Sequence, residues 1–95
     1  MSFTTASSYA VPAPRASMPV RRRIATYFVG GITEIPALVD TLTRHGCLVH
    51  DLSVDIRDGV PESSMVCAVL VAAEEVDALL DQLRLLPAVA SAELA

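Results

Sequence analysis

Two histidines and two cysteines are the side chains best suited to chemistry in this 95-residue sequence, and three of the four crowd together as His45, Cys47 and His50. The H-x-C-x-x-H spacing invites a zinc reading, because imidazole and thiolate bind zinc at about 2.0–2.3 Å. Such a site needs three or four converging ligands, usually with a second pair elsewhere. No other histidine exists, and Cys67 is the only other thiol. His45 is expected to end a helix, where a cation is favoured, and His50 to share the inward parity of a strand. Structural roles, with no metal, are the reading. Asp51, Asp55 and Asp58 suggest a calcium loop, but that pattern needs Gly at its sixth position and Glu at its twelfth. Those positions hold Ile56 and Glu62. On an extended strand Asp51 and Asp55 would stand about 13 Å apart.

Gly30-Gly31 precedes an expected helix without the third glycine of a dinucleotide fingerprint or the Gly-Lys-Ser/Thr of a P-loop. It reads either as a plain turn or as a set of free backbone N–H groups suited to a small carboxylate or phosphate. No nucleophile–base set stands out, since neither histidine has a Ser or Cys partner at an expected loop tip. The chain therefore reads as no enzyme and needs no cofactor. A small enzyme on a dimeric scaffold, with His45 or His50 as base, is the minority alternative.

The elements that must position these groups follow from periodicity. Residues 1–20 hold Pro12, Pro14 and Pro19, four Ser, no acid and only Arg15 as a base. With no period of 2 or 3.6 they read as a flexible tail. The acid-free stretch through Arg23 also loosely fits a transit peptide, whereas a secretory signal is excluded by the lack of a positive start followed by an apolar block. Residues 21–95 read as one domain. Ile24-Ala-Thr-Tyr-Phe-Val29 predicts a strand ended by the glycine pair. Ile32, Ile35, Leu38, Val39 and Leu42 recur at helical spacing, and Gly46 stands where a glycine stops a helix. Leu48, His50, Leu52, Val54 and Ile56 alternate with Val49, Asp51, Ser53, Asp55 and Arg57, predicting a half-buried strand.

Residues 58–62 supply hairpin-turn chemistry. Residues 65–71 are apolar at both parities, which predicts a central strand covered on both sides. Val76, Leu79, Leu80, Leu83 and Leu86 form a second helical stripe, with Glu74, Glu75 and Asp77 in its first turn. Pro87 ends it, and residues 88–94 supply a last strand. The order β-α-β-β-α-β predicts an α+β ferredoxin-like sandwich, a four-stranded antiparallel sheet with both helices on one face. Met65, Cys67, Val69 and Val71 are the expected interface, because an apolar stripe on an open sheet invites a second subunit.

Composition agrees. Hydrophobic residues make up 53% and charged residues 19%, and mean hydropathy is +0.50. That is greasy for a lone soluble monomer. The seven basic residues, all Arg, stand against eleven acids, for a net charge of −4. Net acidity argues against nucleic-acid binding, and two Cys without a secretory signal fit free thiols in the cytoplasm. No apolar run reaches the eighteen or so residues that cross a bilayer.

Arg22-Arg-Ile-Ala-Thr-Tyr-Phe-Val29, the helix after it, and Arg44-His-Gly-Cys-Leu-Val-His-Asp-Leu-Ser-Val54 together resemble an ACT domain. The nearest likeness is the regulatory small subunit of acetohydroxyacid (acetolactate) synthase. That family starts with a basic pair and an apolar strand and ends its first helix in R-x-G. Its closing Q-L-x-x-L helix and V-rich strand are matched by Leu80-Asp-Gln-Leu-Arg-Leu-Leu-Pro-Ala-Val89. The likeness spans about residues 21–95 and implies a non-catalytic regulatory subunit, a homodimer or higher. Its implied partner is the thiamine-diphosphate-dependent large subunit of branched-chain amino-acid biosynthesis, which it would bind and activate.

The family's responsive members carry Asn and Gly in the first strand–helix loop and Asn two residues after the R-x-G glycine. Here the loop is Gly30-Gly-Ile-Thr-Glu34 and the later position is Leu48, which sets branched-chain feedback in question. The sequence ends after one ACT unit, like small subunits that activate without strong valine response. If an amino-acid effector is retained, the resemblance assigns it to Gly30, Gly31, Ile32 and Thr33 with Leu48 and His50 at a dimer seam. The alternative is a free-standing ACT-type amino-acid or small-ligand sensor serving another enzyme.

Overall fold

The computed structural model describes residues 18–95; of the tail assigned to residues 1–20, residues 1–17 lie outside the described residues. Strand β1 (Pro19–Val29) leads through a 3-10 turn (Gly31–Glu34) into helix α1 (Ile35–Arg44). Strands β2 (Leu48–Asp55) and β3 (Glu62–Ala72) form a hairpin. A second 3-10 turn (Ala73–Glu75), helix α2 (Val76–Arg84) and strand β4 (Val89–Leu94) complete the order. The sheet runs β2-β3-β1-β4, with every neighbouring pair antiparallel. This is the ferredoxin-like arrangement expected from the element order. β1 starts at Pro19, inside the segment read as tail. Proline is tolerated as the first residue of a strand, and here Pro19 faces Ala72.

Local chemistry explains the boundaries. Pro36 sits in the first turn of α1, where its missing N–H is an orphan anyway. Gly46 follows the His45 cap with φ +71° and donates its N–H to the Thr43 carbonyl at 3.0 Å, closing the helix as glycine does. The hairpin turns at Gly59, φ +77°, where Val60 N–H donates to the Arg57 carbonyl at 3.3 Å. Arg84 ties the end of α2 to β4 by donating from Nε to the Ala92 carbonyl at 2.9 Å.

The core lies between the helices and one face of the sheet. Leu38 and Leu42 of α1 and Leu79 and Leu83 of α2 pack on Ile24, Phe28, Met65, Cys67 and Val69, each 1% exposed or less. Truncating any of the large aliphatic ones to Ala would cost about 2–5 kcal/mol. Met65, Cys67, Val69 and Val71, expected as an interface, are therefore core residues beneath the helices, and no second subunit can reach them. Opposite apolar parity on β3, Val66, Ala68 and Leu70, faces the uncovered side. The central strand is covered by this chain on one face only.

β2 departs further from expectation. It is an edge strand, with Leu48, Leu52 and Val54 between 38% and 59% exposed rather than half-buried, and Ile56, just past its end, is 41% exposed. Its register with β3 slips between His50 and Ser53. His50 opposes Ala68 and Ser53 opposes Val66, so one extra residue bulges out. Asp51 carries the bulge at φ +51°, alone among the described non-glycine residues in positive φ. Leu48 and His50 consequently stand on the open face while Val54, past the bulge, stands on the helix side. His50 does not point inward.

Candidate functional site

The six positions expected to hold a ligand fall into two groups. The 30–33 turn leaves the end of β1 where Val29 faces Glu62. Gly30 takes φ +103° and Gly31 φ +69°, and Thr33 donates its hydroxyl to the Gly30 carbonyl at 2.9 Å. That bond holds the turn without capping an amide. Ile32 projects into solvent, 72% exposed, instead of joining the apolar stripe of α1. Leu48 and His50 belong to the other end of the sheet, for Leu48 pairs with Leu70. Eight residues of β3 between Leu70 and Glu62 amount to about 26 Å of strand. Within one chain the two groups do not meet.

The histidine–cysteine cluster also disperses. Cys47 turns into the core, where its Sγ donates to the Leu42 carbonyl at 2.7 Å, while His50 stands on the opposite face of the sheet and His45 caps α1. Among the described residues no three His, Cys, Asp or Glu side chains are grouped to hold a metal. Burial pushes both the Cys47 and Cys67 thiols above the ordinary 9.0; the neighbouring Cys47 pushes Cys67 up further and Arg23 pulls it back. These are protonated, shielded thiols rather than nucleophiles.

Two features of the open face were not named from sequence. A shallow cleft of about 180 Å³ lies at the hairpin end, lined by Tyr27, Asp55, Arg57, Val60, Glu62 and two serines. Arg57 grips Asp55 with both Nε at 3.3 Å and Nη2 at 3.1 Å. At the other end Arg21 and Arg23 stand exposed on β1, and Arg21 reaches Asp51 at 2.9 Å. A signal for the arginines did exist. The signal is the parity of Ile24, Thr26 and Phe28, which carried back along β1 puts Arg21 and Arg23 on the outward face, although Arg22 between them breaks the polar alternation.

No family model matches the sequence, and no curated protein does either. Among solved structures, the chain is similar to the solution NMR structure of the ACT domain from the GTP pyrophosphokinase of Chlorobium tepidum. The TM-score is 0.61 and the identity 12%, with 82% of this chain and 88% of that one covered. The fold is of the ACT type. At that identity the likeness speaks to fold alone, and it carries no support for the synthase small subunit in particular. Among the described residues no helix is long and apolar enough to cross a membrane.

Proposed function

We infer that the chain is a non-catalytic regulatory domain that pairs with a second copy along β2 and takes a small carboxylate ligand, of the amino-acid class, at the seam. One observation carries this reading: the two halves of the candidate ligand set stand at opposite ends of the sheet, beside an unpaired, apolar β2 edge. Identical edges related by a two-fold axis pair antiparallel. Such pairing brings the Leu48 end of one β2 beside the Asp55 end of the other, where residues 30–33 enter α1. Each seam then combines the 30–33 turn of one protomer with Leu48 and His50 of its mate. Exposed Leu52, Val54 and Ile56 supply apolar contact, and the free strand edge supplies hydrogen bonds. A ligand that prefers the paired form shifts the equilibrium, and an enzyme that also prefers that form is regulated in turn.

On the finer reading, the regulated enzyme is the catalytic subunit of acetohydroxyacid synthase in the cytoplasm, bound and activated by this chain. Its support is the Arg22–Val29 and Arg44–Val54 sequence pattern. Gel filtration and activity assays with and without the chain test it: co-elution and a raised rate are expected, and neither occurring removes the synthase. Thermal shift against an amino-acid panel tests the ligand. Stabilisation by one amino acid that disappears in the edge-blocked Leu52→Lys/Val54→Lys chain is the expected result. Stabilisation without any synthase response makes the chain a free-standing sensor; no shift with any amino acid overturns the ligand reading.

A further inference from the structure

Glu34 holds its carboxylate over the first glycine of the 30–33 turn. A Cβ added at Gly30 would stand 2.8 Å from Glu34 Cγ, 3.2 Å from its Cδ and 3.0 Å from its Oε2, so the side chain folds back into the space that glycine leaves open. Gly30 therefore serves the turn twice, by its positive φ and by its missing side chain. An acid in a first turn ordinarily bonds a free backbone N–H. Glu34 makes no such capping bond, either to the 3-10 turn or to α1. Among the described residues no cation pairs with it and no donor bonds to it. It is only partly exposed, and a carboxylate drawn from water without a partner is unfavourable.

We propose that Glu34 sets the specificity of the seam for amino acids, by taking the α-ammonium of the ligand while the backbone N–H groups of residues 31–33 take its carboxylate. This rests on the ligand reading above and narrows it, since the N–H groups alone would admit any small carboxylate. Beside them, an unpaired negative charge repels a bare carboxylate. It attracts a molecule that carries its own cation next to the carboxylate. An α-amino acid has both groups on one carbon, and the 30–34 segment offers a carboxylate and N–H donors within one turn of backbone. A 2-oxo acid or a plain carboxylic acid brings only the half that Glu34 opposes. The turn thus rejects the wrong ligand by leaving its own charge unpaired.

The test compares the full chain with Glu34→Gln, which keeps the shape of the side chain and removes its charge. Thermal shift is measured with each standard amino acid and, for each that stabilises the chain, with its 2-oxo and des-amino acids. The unmodified chain should respond to the amino acid and to neither analogue. Glu34→Gln should lose about tenfold or more in apparent affinity for the amino acid and should respond to the analogues as well. A side chain that merely holds the turn would weaken every ligand alike, so equal losses overturn the proposal. Discrimination that survives Glu34→Gln overturns it while the ligand reading stands. No response of the unmodified chain to any amino acid removes the ligand reading and this assignment together. Light scattering without ligand should give both chains the same mass; if Glu34→Gln abolishes pairing, the carboxylate serves the mate rather than a ligand and the proposal falls.

Discussion

Arg21 reaches across the whole width of β3 to place its Nη2 2.9 Å from Oδ2 of Asp51, the residue that carries the β2 bulge at φ +51°. The two side chains are 60% and 65% exposed. An ion pair that open contributes roughly 0–1 kcal/mol, so its main effect is to orient the bulge. Positive φ costs a non-glycine residue about 1 kcal/mol. Asp51→Gly and Asp51→Ala both remove the ion pair, but only Ala keeps the backbone penalty. Urea unfolding should find the Gly variant about 1 kcal/mol more stable than the Ala variant. Equal stabilities would show that the bulge relaxes without its aspartate.

Thr26 gives the opposite sign of effect. It is 0% exposed in the core, and its hydroxyl has no hydrogen-bond partner. A buried hydroxyl left unpaired costs about 1–3 kcal/mol. Thr26→Val keeps the shape and the β-branching, so it should stabilise the domain by about 1 kcal/mol. A raised melting temperature is the readout, and an unchanged or lower one would mean the hydroxyl finds a partner in solution.

Gly30 should be less replaceable than Gly46. A Cβ there would stand 2.8 Å from Glu34 Cγ and 3.0 Å from its Oε2, on a backbone at φ +103°. At Gly46 a Cβ meets nothing within 4 Å, though φ is +71°. Gly46→Ala should cost about 1 kcal/mol, the backbone penalty alone. Gly30→Ala should cost more, and adding Glu34→Ala should recover the part due to the clash. Equal costs at the two glycines would count against the turn geometry.

The thiols predict a pH dependence on the alkaline side. Burial raises both folded values above 9.0, so as pH climbs past about 8.5–9 the unfolded chain releases protons that the folded chain retains. A group raised on folding contributes stability that is fully present at low pH and lost as pH rises. Stability should be insensitive to the thiols below pH 8 and should decline above 9, by up to about 1.4 kcal/mol per pH unit for each thiol. Denaturant midpoints from pH 7 to 10.5 check this, and Cys47→Ala with Cys67→Ala should remove that part of the slope.

Much of the architecture could be read from the residues because turn chemistry and periodicity agreed at each junction. Gly46 ended α1 and the 58–62 segment turned the hairpin as expected. What failed has physical causes. Apolar residues at both parities of β3 give no sign of which side the helices cover. That is decided by pairing with β1, where Ile24 and Phe28 face the core and Arg21 and Arg23 do not. The bulge was invisible because its αL residue is an aspartate inside an unbroken alternation, without Gly or Pro to announce it. The missed inversion reassigned His50 from core to open face. The candidate ligand positions were legible one by one, but their distance apart depends on strand order, which no local pattern carries.

An eight-residue strand with one edge left unpaired also governs how the chain behaves when made in excess. β2 contains no proline, and its free backbone groups are a template on which any extended segment can grow. Two aspartates give it modest protection. A chain whose β2 edges cannot close on each other as a pair should accumulate as insoluble ladders rather than as free monomer, so the closed pairing also keeps the chain in solution.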